Sequence, residues 1–305
     1  MKDIETYISV KNLYKKYKDI IAVNDLSLTV YKGDIYGFLG PNGAGKSTTI
    51  RILLSLIKKD DGGVTIFNQS ISKNREHVLS RIGALIEKPD FYPYLSAYKN
   101  LEILSKYSRG DISHNRIFEI LELVGLKERA YSKVKTFSHG MKQRLGIAQA
   151  LIHDPDLLIL DEPGNGLDPL GTKEIRDLML YLNKEDKKTI FISSHLLSEV
   201  ELVATRMIII NKGHHVVEGS VKELLNTKEL KVKFEVDDIK KTLNLLESTK
   251  YMELLEGKKE KELKFSMSKE EISDLNKLLV ENNIKVEAIK PLRNLEEYFL
   301  QITEN

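Results

Sequence analysis

The residues whose types and spacing point most clearly to chemistry are the stretch from Gly40 to Thr48, which reads Gly-Pro-Asn-Gly-Ala-Gly-Lys-Ser-Thr. Glycines let successive backbone N–H groups curl around a phosphate, because no side chain intrudes. An apolar run, Ile35–Leu39, predicts a strand before this loop, and an apolar-faced segment predicts a helix that begins near Lys46. Strand, glycine-rich turn and helix together predict a cradle for a nucleoside triphosphate; the alternative is a chance match.

Two side chains of the loop have chemistry of their own. Lys46 is placed to reach the β- and γ-phosphates, and the hydroxyl of Ser47 is placed to bind Mg²⁺. The N-terminal partial charge of the helix adds to the attraction for phosphate. The other predicted nucleotide contacts in the loop are Gly40, Asn42, Gly43, Ala44, Gly45 and Thr48.

Paired carboxylates follow a second apolar run. Leu157–Leu160 predicts a strand buried on both faces, and Asp161 and Glu162 come directly after it, at the edge where α/β sheets bind ligands. Asp161 is predicted to hold Mg²⁺ through water, and Glu162 to take a proton from the attacking water. A solvated turn is the plain alternative, but the apolar run and the upstream cradle favour catalysis.

A histidine ends a third core strand. The predicted strand Thr189–Ser193 leads to Ser194 and His195, and at that edge His195 is placed to donate to a γ-phosphate. Another strand, Met207–Ile210, precedes Asn211-Lys212-Gly213-His214, where a guanine-reading loop would need Asp at the last position. The chain therefore lacks the acid that would recognise guanine, which favours adenine as the base of the bound nucleotide.

Two further features are ambiguous taken alone. Tyr17 lies on a predicted loop between two early strands. The sequence gives about even odds that it stacks on a nucleobase or is a surface or core aromatic without that role. Ser138 and Gly140 form a Ser-x-Gly turn that opens a helix and presents N–H groups to an anion. An ordinary serine N-cap is the alternative for that turn.

These residues need an α/β core with additions. Period-two alternation before the loop predicts a β-rich N-terminal subdomain, and three- and four-residue apolar spacings predict a helical insert at about residues 88–150. From residue 222 to residue 305 the order β-α-β-β-α-β predicts a small ferredoxin-like α+β domain, with a strand near Met252–Leu255 and a closing helix at Asn294–Thr303.

Composition excludes several classes of protein. The chain has 305 residues, 47 Lys plus Arg against 45 Asp plus Glu, and a net charge of +2, so a nucleic-acid partner is not expected. No cysteine is present, which excludes disulfides and thiolate metal sites. The charged start predicts no signal peptide, and no apolar run approaches the ~20 residues that span a bilayer, so we expect any membrane role to come through a partner.

The ordered motifs over roughly residues 4–220 resemble those of ABC transporter ATP-binding subunits. Gly40–Thr48 matches the Walker A loop, Leu157–Glu162 the Walker B strand and Ser138–Met141 the ABC signature. Gly166–Asp168 matches the D-loop, which makes Asp168 a nucleotide-site residue, while His195 and Tyr17 match the switch histidine and the A-loop aromatic. The resemblance implies a P-loop NTPase fold of ABC type for residues 1–221, with ATP and Mg²⁺ as ligands.

Departures from the common pattern narrow the resemblance. Glu87 stands where Gln is usual, and the signature has His139 and Met141 where Gly and Gln are commoner. Both features, and the ending Leu295–Leu300, are similar to those of the bacitracin and lantibiotic exporter group. Glu87 retains an oxygen ligand for Mg²⁺ while adding a charge, so it is predicted to contact the metal.

The resemblance implies a partnership at the membrane. It implies a homodimer that works with an integral membrane permease at the cytoplasmic face of the cell membrane and exports a peptide antibiotic. The alternatives are a soluble ABC ATPase acting on ribosomes or DNA, and a regulatory ATPase bound to a membrane sensor.

Overall fold

The computed structural model describes residues 5–87, 89–107, 112–225 and 230–292. The chain forms two compact units, Met1–Val221 and Lys222–Asn305. The predicted closing helix Asn294–Thr303 and the ending Leu295–Leu300 lie outside the described residues. Within the described ranges, no helix combines the length and the apolar character needed to cross a bilayer.

The elements of the first unit alternate between strands and helices after an initial hairpin. The strands are β1 (Thr6–Tyr17), β2 (Ile20–Tyr31), β3 (Ile35–Leu39), β4 (Asp61–Ile66), β5 (Gln69–Ser70), β6 (Ile82–Leu85), β7 (Leu157–Asp161), β8 (Thr189–Ser194), β9 (Arg206–Asn211) and β10 (His214–Ser220). The helices are α1 (Lys46–Leu53), α2 (Arg75–Leu79), α3 (Ala97–Ser105), α4 (His114–Leu123), α5 (His139–Leu151), α6 (Pro169–Lys184) and α7 (Leu197–Glu201), and α8 (Val221–Leu225) spans the boundary in sequence.

A six-stranded sheet positions the site. Its strand order is β10-β9-β3-β8-β7-β6, and every neighbouring pair from β9 to β6 is parallel. Every residue of β3, β7 and β8 is buried, which explains their continuous apolar runs. The register pairs Leu39 with Ser194 and Asp161 with Ser193, so the three strands end at the same edge. The predicted convergence at the carboxyl edge is therefore present.

The N-terminal strands form a separate antiparallel sheet of order β2-β1-β4-β5. Its apolar side contributes Ile8, Leu13 and Leu26 to the core that also contains Phe38 of β3. Tyr17 is the last residue of β1 and pairs with Ile20 across a two-residue turn. Its predicted place in a loop is therefore wrong by one residue, because β1 and β2 remain paired up to the turn.

The helical insert contains α3, α4 and α5. Leu101, Ile117, Leu121 and Leu145 of these helices are fully or almost fully buried in one cluster, at the apolar spacings that predicted the helices. The first helix begins at Ala97, where Ser96 caps it by accepting a hydrogen bond from the Lys99 N–H. The helical region thus starts later than the predicted residue 88.

The second unit contains β11 (Leu230–Val236), α9 (Ile239–Leu246), β12 (Leu255–Lys259), β13 (Glu262–Met267), α10 (Lys269–Glu281) and β14 (Val286–Leu292). Its antiparallel sheet has the order β12-β13-β11-β14. The strand predicted near Met252–Leu255 is wrong: Lys250–Met252 is a 3-10 turn, and the strand begins at Leu255. The sheet-edge strand β12 is largely exposed, so it has no apolar alternation that could mark it in the sequence.

Candidate nucleotide-binding site

The glycine-rich loop connects β3 to α1. Gly43 and Gly45 have φ values of +80° and +105°, a region that side chains disfavour. A Cβ at Gly40 would lie 2.5 Å from the Ile210 carbonyl oxygen, and one at Gly45 only 2.4 Å from the Ala22 carbonyl oxygen. No side chain caps the N-terminus of α1, which begins at Lys46. The loop therefore has the geometry of an anion cradle, in which backbone N–H groups and the helix dipole take the place of a cap.

We expect alanine to be tolerated differently at the two left-handed glycines. Gly43→Ala meets nothing within 4 Å, so its cost is that of the left-handed conformation, about 1–2 kcal/mol. Gly45→Ala adds the collision with Ala22 and should lower the free energy of unfolding further. Urea unfolding of both variants measures the difference; equal destabilisation would contradict the packing described for Gly45.

Lys46 lies at the base of the loop and is only 5% exposed. Its Nζ donates to the carbonyl oxygens of Gly40 at 2.7 Å and Pro41 at 3.2 Å, and lies 3.3 Å from Oε1 of Glu162. The Walker A lysine and the acid that ends β7 are thus brought together as the sequence predicts. A buried ammonium held by carbonyl groups and a single carboxylate keeps its charge available for a phosphate.

Glu162 is the centre of a polar network. Besides Lys46, its carboxylate accepts hydrogen bonds from His195 Nδ1 at 2.9 Å and from Asn165 Nδ2 at 3.2 Å. Its backbone φ is +46°, an unfavourable value for a residue with a side chain. Strain of this kind persists only where the surroundings enforce it, and it is common at functional sites. The predicted base and the predicted histidine are therefore neighbours.

Ser193 is a site residue that sequence reasoning missed. It is fully buried at the end of β8; its Oγ donates to Oδ1 of Asp161 and accepts from the Glu162 backbone N–H at 3.0 Å. One hydroxyl thus fixes both acids at the end of β7. The available signal was the polar pair Ser193-Ser194 at the end of an otherwise apolar strand.

Glu87 reaches the same cleft, but it has a cationic partner. An open cleft of about 580 Å³ is lined by Ser47, Glu87, Asp161 and Glu162, among others. The carboxylate of Glu87 forms an ion pair with Arg51 of α1, and the backbone of Glu87 has a φ of +57°. The cleft therefore collects the predicted oxygen ligands, while the ion pair with Arg51 was not foreseen.

The signature turn starts α5 at the other side of the cleft. Ser138 caps its own helix by accepting from the Met141 N–H at 3.2 Å, which is the alternative that the sequence left open. Next to it, His139 Nε2 lies 3.1 Å from the Asn165 carbonyl oxygen, and a Cβ at Gly140 would lie 3.6 Å from Leu167 of the D-loop. Signature and D-loop are therefore in contact within one chain.

Two other predicted residues have local roles. Asp168 caps α6 by accepting from the Gly171 N–H at 2.9 Å. Tyr17 is 43% exposed, and the Lys15 ammonium lies 5.2 Å from its ring centroid. Both side chains are accessible in part to a ligand. The contacts described here do not join either of them to Lys46 or Glu162.

The cleft fits a hydrated divalent cation and a polar ligand. Ser47, Asp161 and Glu87 supply hydroxyl and carboxylate oxygens, the donor type that Mg²⁺ prefers. Gln143, which also lines the cleft, is 3% exposed, and its Oε1 has no hydrogen-bond partner among the residues that the structure describes. In the described part of the chain, no group of three His, Cys, Asp or Glu side chains forms a metal cluster.

Comparison with known proteins decides the family. The family model described as ABC transporter matches residues 23–165. The bacitracin transport ATP-binding protein BcrA of Bacillus licheniformis is 43% identical over 300 residues, which cover 98% of this chain and 98% of BcrA. The chain belongs to the ABC transporter ATP-binding proteins. The predicted resemblance is confirmed.

Two further relatives of this ABC ATPase support the assignment. The lantibiotic transport ATP-binding protein SrtF of Streptococcus pyogenes is 41% identical over 73% of this chain and 95% of SrtF. The dimeric structure of the ATP-binding cassette MJ0796, in a post-hydrolysis state with ADP and Pi, is 29% identical with a TM-score of 0.64, over 70% of this chain and 98% of that one. The chain is thus an ATP-binding, ATP-hydrolysing transporter subunit with the ABC fold.

Proposed function

We propose that this ABC ATPase energises an exporter of peptide antibiotics of the bacitracin or lantibiotic kind. The observation that carries the proposal is the 43% identity with a bacitracin transport subunit over 98% of both chains, which includes the second unit and not only the ATPase core. The similarity to a lantibiotic transport subunit points the same way. The alternative of a soluble ATPase acting on ribosomes or DNA is not favoured, since these relatives are transport subunits.

In this proposal each residue of the network acts on ATP. Gly40, Asn42, Gly43, Ala44, Gly45 and Thr48 surround the phosphates, and Lys46 neutralises the β- and γ-phosphates. Glu162 takes the proton of the attacking water, and His195, held 2.9 Å away, stabilises the γ-phosphate in the transition state. Tyr17 stacks on the adenine. The contacts of Glu162 with both Lys46 and His195 support this division of roles.

Magnesium would be held by Ser47 and Asp161, with Glu87 beside them. The ion would supply charge neutralisation between the β- and γ-phosphates. Asp161 keeps its orientation through the hydroxyl of Ser193, and its second oxygen would help to hold the ion.

The proposed working form is a head-to-tail homodimer. Each chain has one Walker A loop and one signature turn, so ATP on Lys46 of one copy would be capped by Ser138, Gly140 and Asp168 of the other. The dimeric arrangement of the MJ0796 cassette with ADP and Pi supports this. Hydrolysis would separate the copies, and the loop after Glu87 would pass the movement to an integral membrane permease at the cytoplasmic face of the cell membrane.

The chain is proposed to consist of an ATPase domain of residues 1–221 and a ferredoxin-like accessory domain of residues 222–305. The supporting observations are the β-α-β-β-α-β order and the antiparallel sheet in which β11 and β13 are central and β12 and β14 are outermost. Phe234 and Phe265 pack edge to face in its core. The charged outer strand β12 supports an interaction or regulatory role for this unit.

Drug susceptibility tests the proposed substrate. A strain that lacks this chain should become more sensitive to bacitracin or to a lantibiotic, and wild-type protein, but not Glu162→Gln, should restore resistance. An antibiotic that targets the ribosome is the matched control and should be unaffected. Unchanged susceptibility to both peptide classes, with altered sensitivity to the ribosomal drug, would favour the ribosome-acting alternative and contradict the proposal.

A further inference from the structure

Glu199 is a half-buried carboxylate close to the catalytic network that no motif accounts for. It lies in the short helix α7, four residues after His195. Its Oε2 lies 3.2 Å from the Oγ of Ser194, a hydroxyl that is itself 3% exposed. A carboxylate accepts such a proton more strongly than a neutral carbonyl, so this bond outweighs the 3.3 Å alternative from the same hydroxyl to the Leu196 carbonyl.

The hydroxyl of Ser194 bridges the backbone on both sides of His195. It accepts a hydrogen bond from the Leu196 N–H at 3.0 Å, while Ser194 itself precedes the histidine. The residues before and after His195 are thereby tied to one another, and Glu199 orients the hydroxyl that ties them. Without the carboxylate, the hydroxyl donates instead to the Leu196 carbonyl oxygen, and the segment around His195 is no longer hydrogen-bonded to α7.

The same carboxylate also lies near the loop that follows Glu162. A Cβ at Gly164 would lie 3.5 Å from both carboxylate oxygens of Glu199, which is ordinary van der Waals contact. Pro163, Gly164 and Glu199 line one mostly apolar cavity of about 180 Å³, together with Ile192 and Met179. Glu199 therefore lies beside the segment after the acid, across a shared cavity, and is hydrogen-bonded to the segment around the histidine.

We propose that Glu199 is a positioning residue that sets the placement of His195 relative to Glu162. The inference rests on the proposed roles of Glu162 and His195 and adds the group that maintains their 2.9 Å contact. The position of a catalytic group contributes strongly to the rate, since a displacement of about 1 Å can cost roughly 100-fold. Among the described residues, Glu199 is hydrogen-bonded to Ser194, whereas Lys46 is bonded to Gly40, Pro41 and Glu162, so loss of Glu199 should leave ATP binding intact.

Steady-state ATPase kinetics of the full chain test the proposal. Glu199→Ala and Ser194→Ala should each lower kcat about tenfold, the equivalent of one charge-assisted hydrogen bond, with KM for ATP within about twofold of wild type. Glu199→Gln keeps an oxygen that accepts from Ser194 but loses the charge, so it should lower kcat less than Glu199→Ala does. Ser198→Ala, on an exposed side chain of the same helix, is the matched control.

Combined variants separate positioning from general damage. Because both residues act through His195, Glu199→Ala should add nothing further to Ser194→Ala, or to His195→Ala. The inference would be overturned if the losses of kcat in the two single variants multiplied in the double variant. A kcat of Glu199→Ala within about twofold of wild type would overturn it as well. If Glu199→Ala fails to fold, Ser194→Ala removes the same bond together with the bond from the Leu196 N–H, and an unchanged kcat in that variant would overturn the inference. Normal turnover in His195→Ala would refute the catalytic role proposed for His195, whereas inactive His195→Ala beside normal Glu199→Ala and Ser194→Ala refutes only the positioning role of Glu199.

Discussion

Glu162→Gln is expected to lower the rate of ATP hydrolysis by about 10²–10⁴-fold, the range for loss of a general base. Glutamine keeps the size of the side chain and an oxygen that accepts from Asn165 and His195, but it cannot take up a proton at neutral pH. Binding of ATP should persist, because Lys46 retains its contacts with the carbonyl groups of the loop. Phosphate release at saturating ATP, together with a fluorescent-nucleotide titration, measures both quantities.

The matched control is Glu185→Gln, which makes the same chemical change at an exposed position after α6. That variant should hydrolyse ATP at the wild-type rate. Near-normal turnover in Glu162→Gln would remove Glu162 from the role of base and leave it as a partner of Lys46 only.

Lys46→Ala should weaken nucleotide binding by roughly 10- to 100-fold, as expected for loss of charge-assisted hydrogen bonds to phosphate. The ammonium is almost fully buried beneath the loop, so neither water nor a neighbouring lysine replaces it. Its removal also takes away the cation that lies 3.3 Å from Glu162, so the carboxylate repels a polyphosphate more strongly. A titration of the purified variant with ATP gives the change in affinity.

Lys58→Ala removes an equal charge from an exposed position just after α1 and serves as the control for net charge. It should bind ATP like the wild-type chain. Equal affinities in Lys46→Ala and wild type would contradict the phosphate-binding role of the loop.

The sequence predicted the parts of the site that depend on local pattern. Apolar runs identified β3, β7 and β8, because strands buried on both faces have few polar residues. Glycine positions identified the loop, because positive φ values and close backbone approach need glycine. The edge of a parallel sheet then placed Gly40, Glu162 and His195 near one another before any distance was known.

Contacts between distant residues could not be predicted in this way. The ion pair of Glu87 with Arg51, the bonds of the buried Ser193 hydroxyl and the Gln143 Oε1, which has no partner among the described residues, all depend on how side chains meet across elements. The polar strand β12 was missed for a related reason: an exposed outer strand gains its place from backbone pairing with β13, not from an apolar pattern.

The most direct test of the central claim, that two copies of this chain share ATP, is the sedimentation velocity of Glu162→Gln with Mg²⁺. We predict a dimer with ATP and a monomer with ADP. The γ-phosphate, which ADP lacks and which Glu162→Gln does not remove, is what joins Lys46 of one copy to Ser138 of the other. Adding Ser138→Arg, which fills the signature turn, should abolish the dimer without preventing ATP binding by the monomer. A Glu162→Gln protein that binds ATP and still sediments as a monomer would contradict the account.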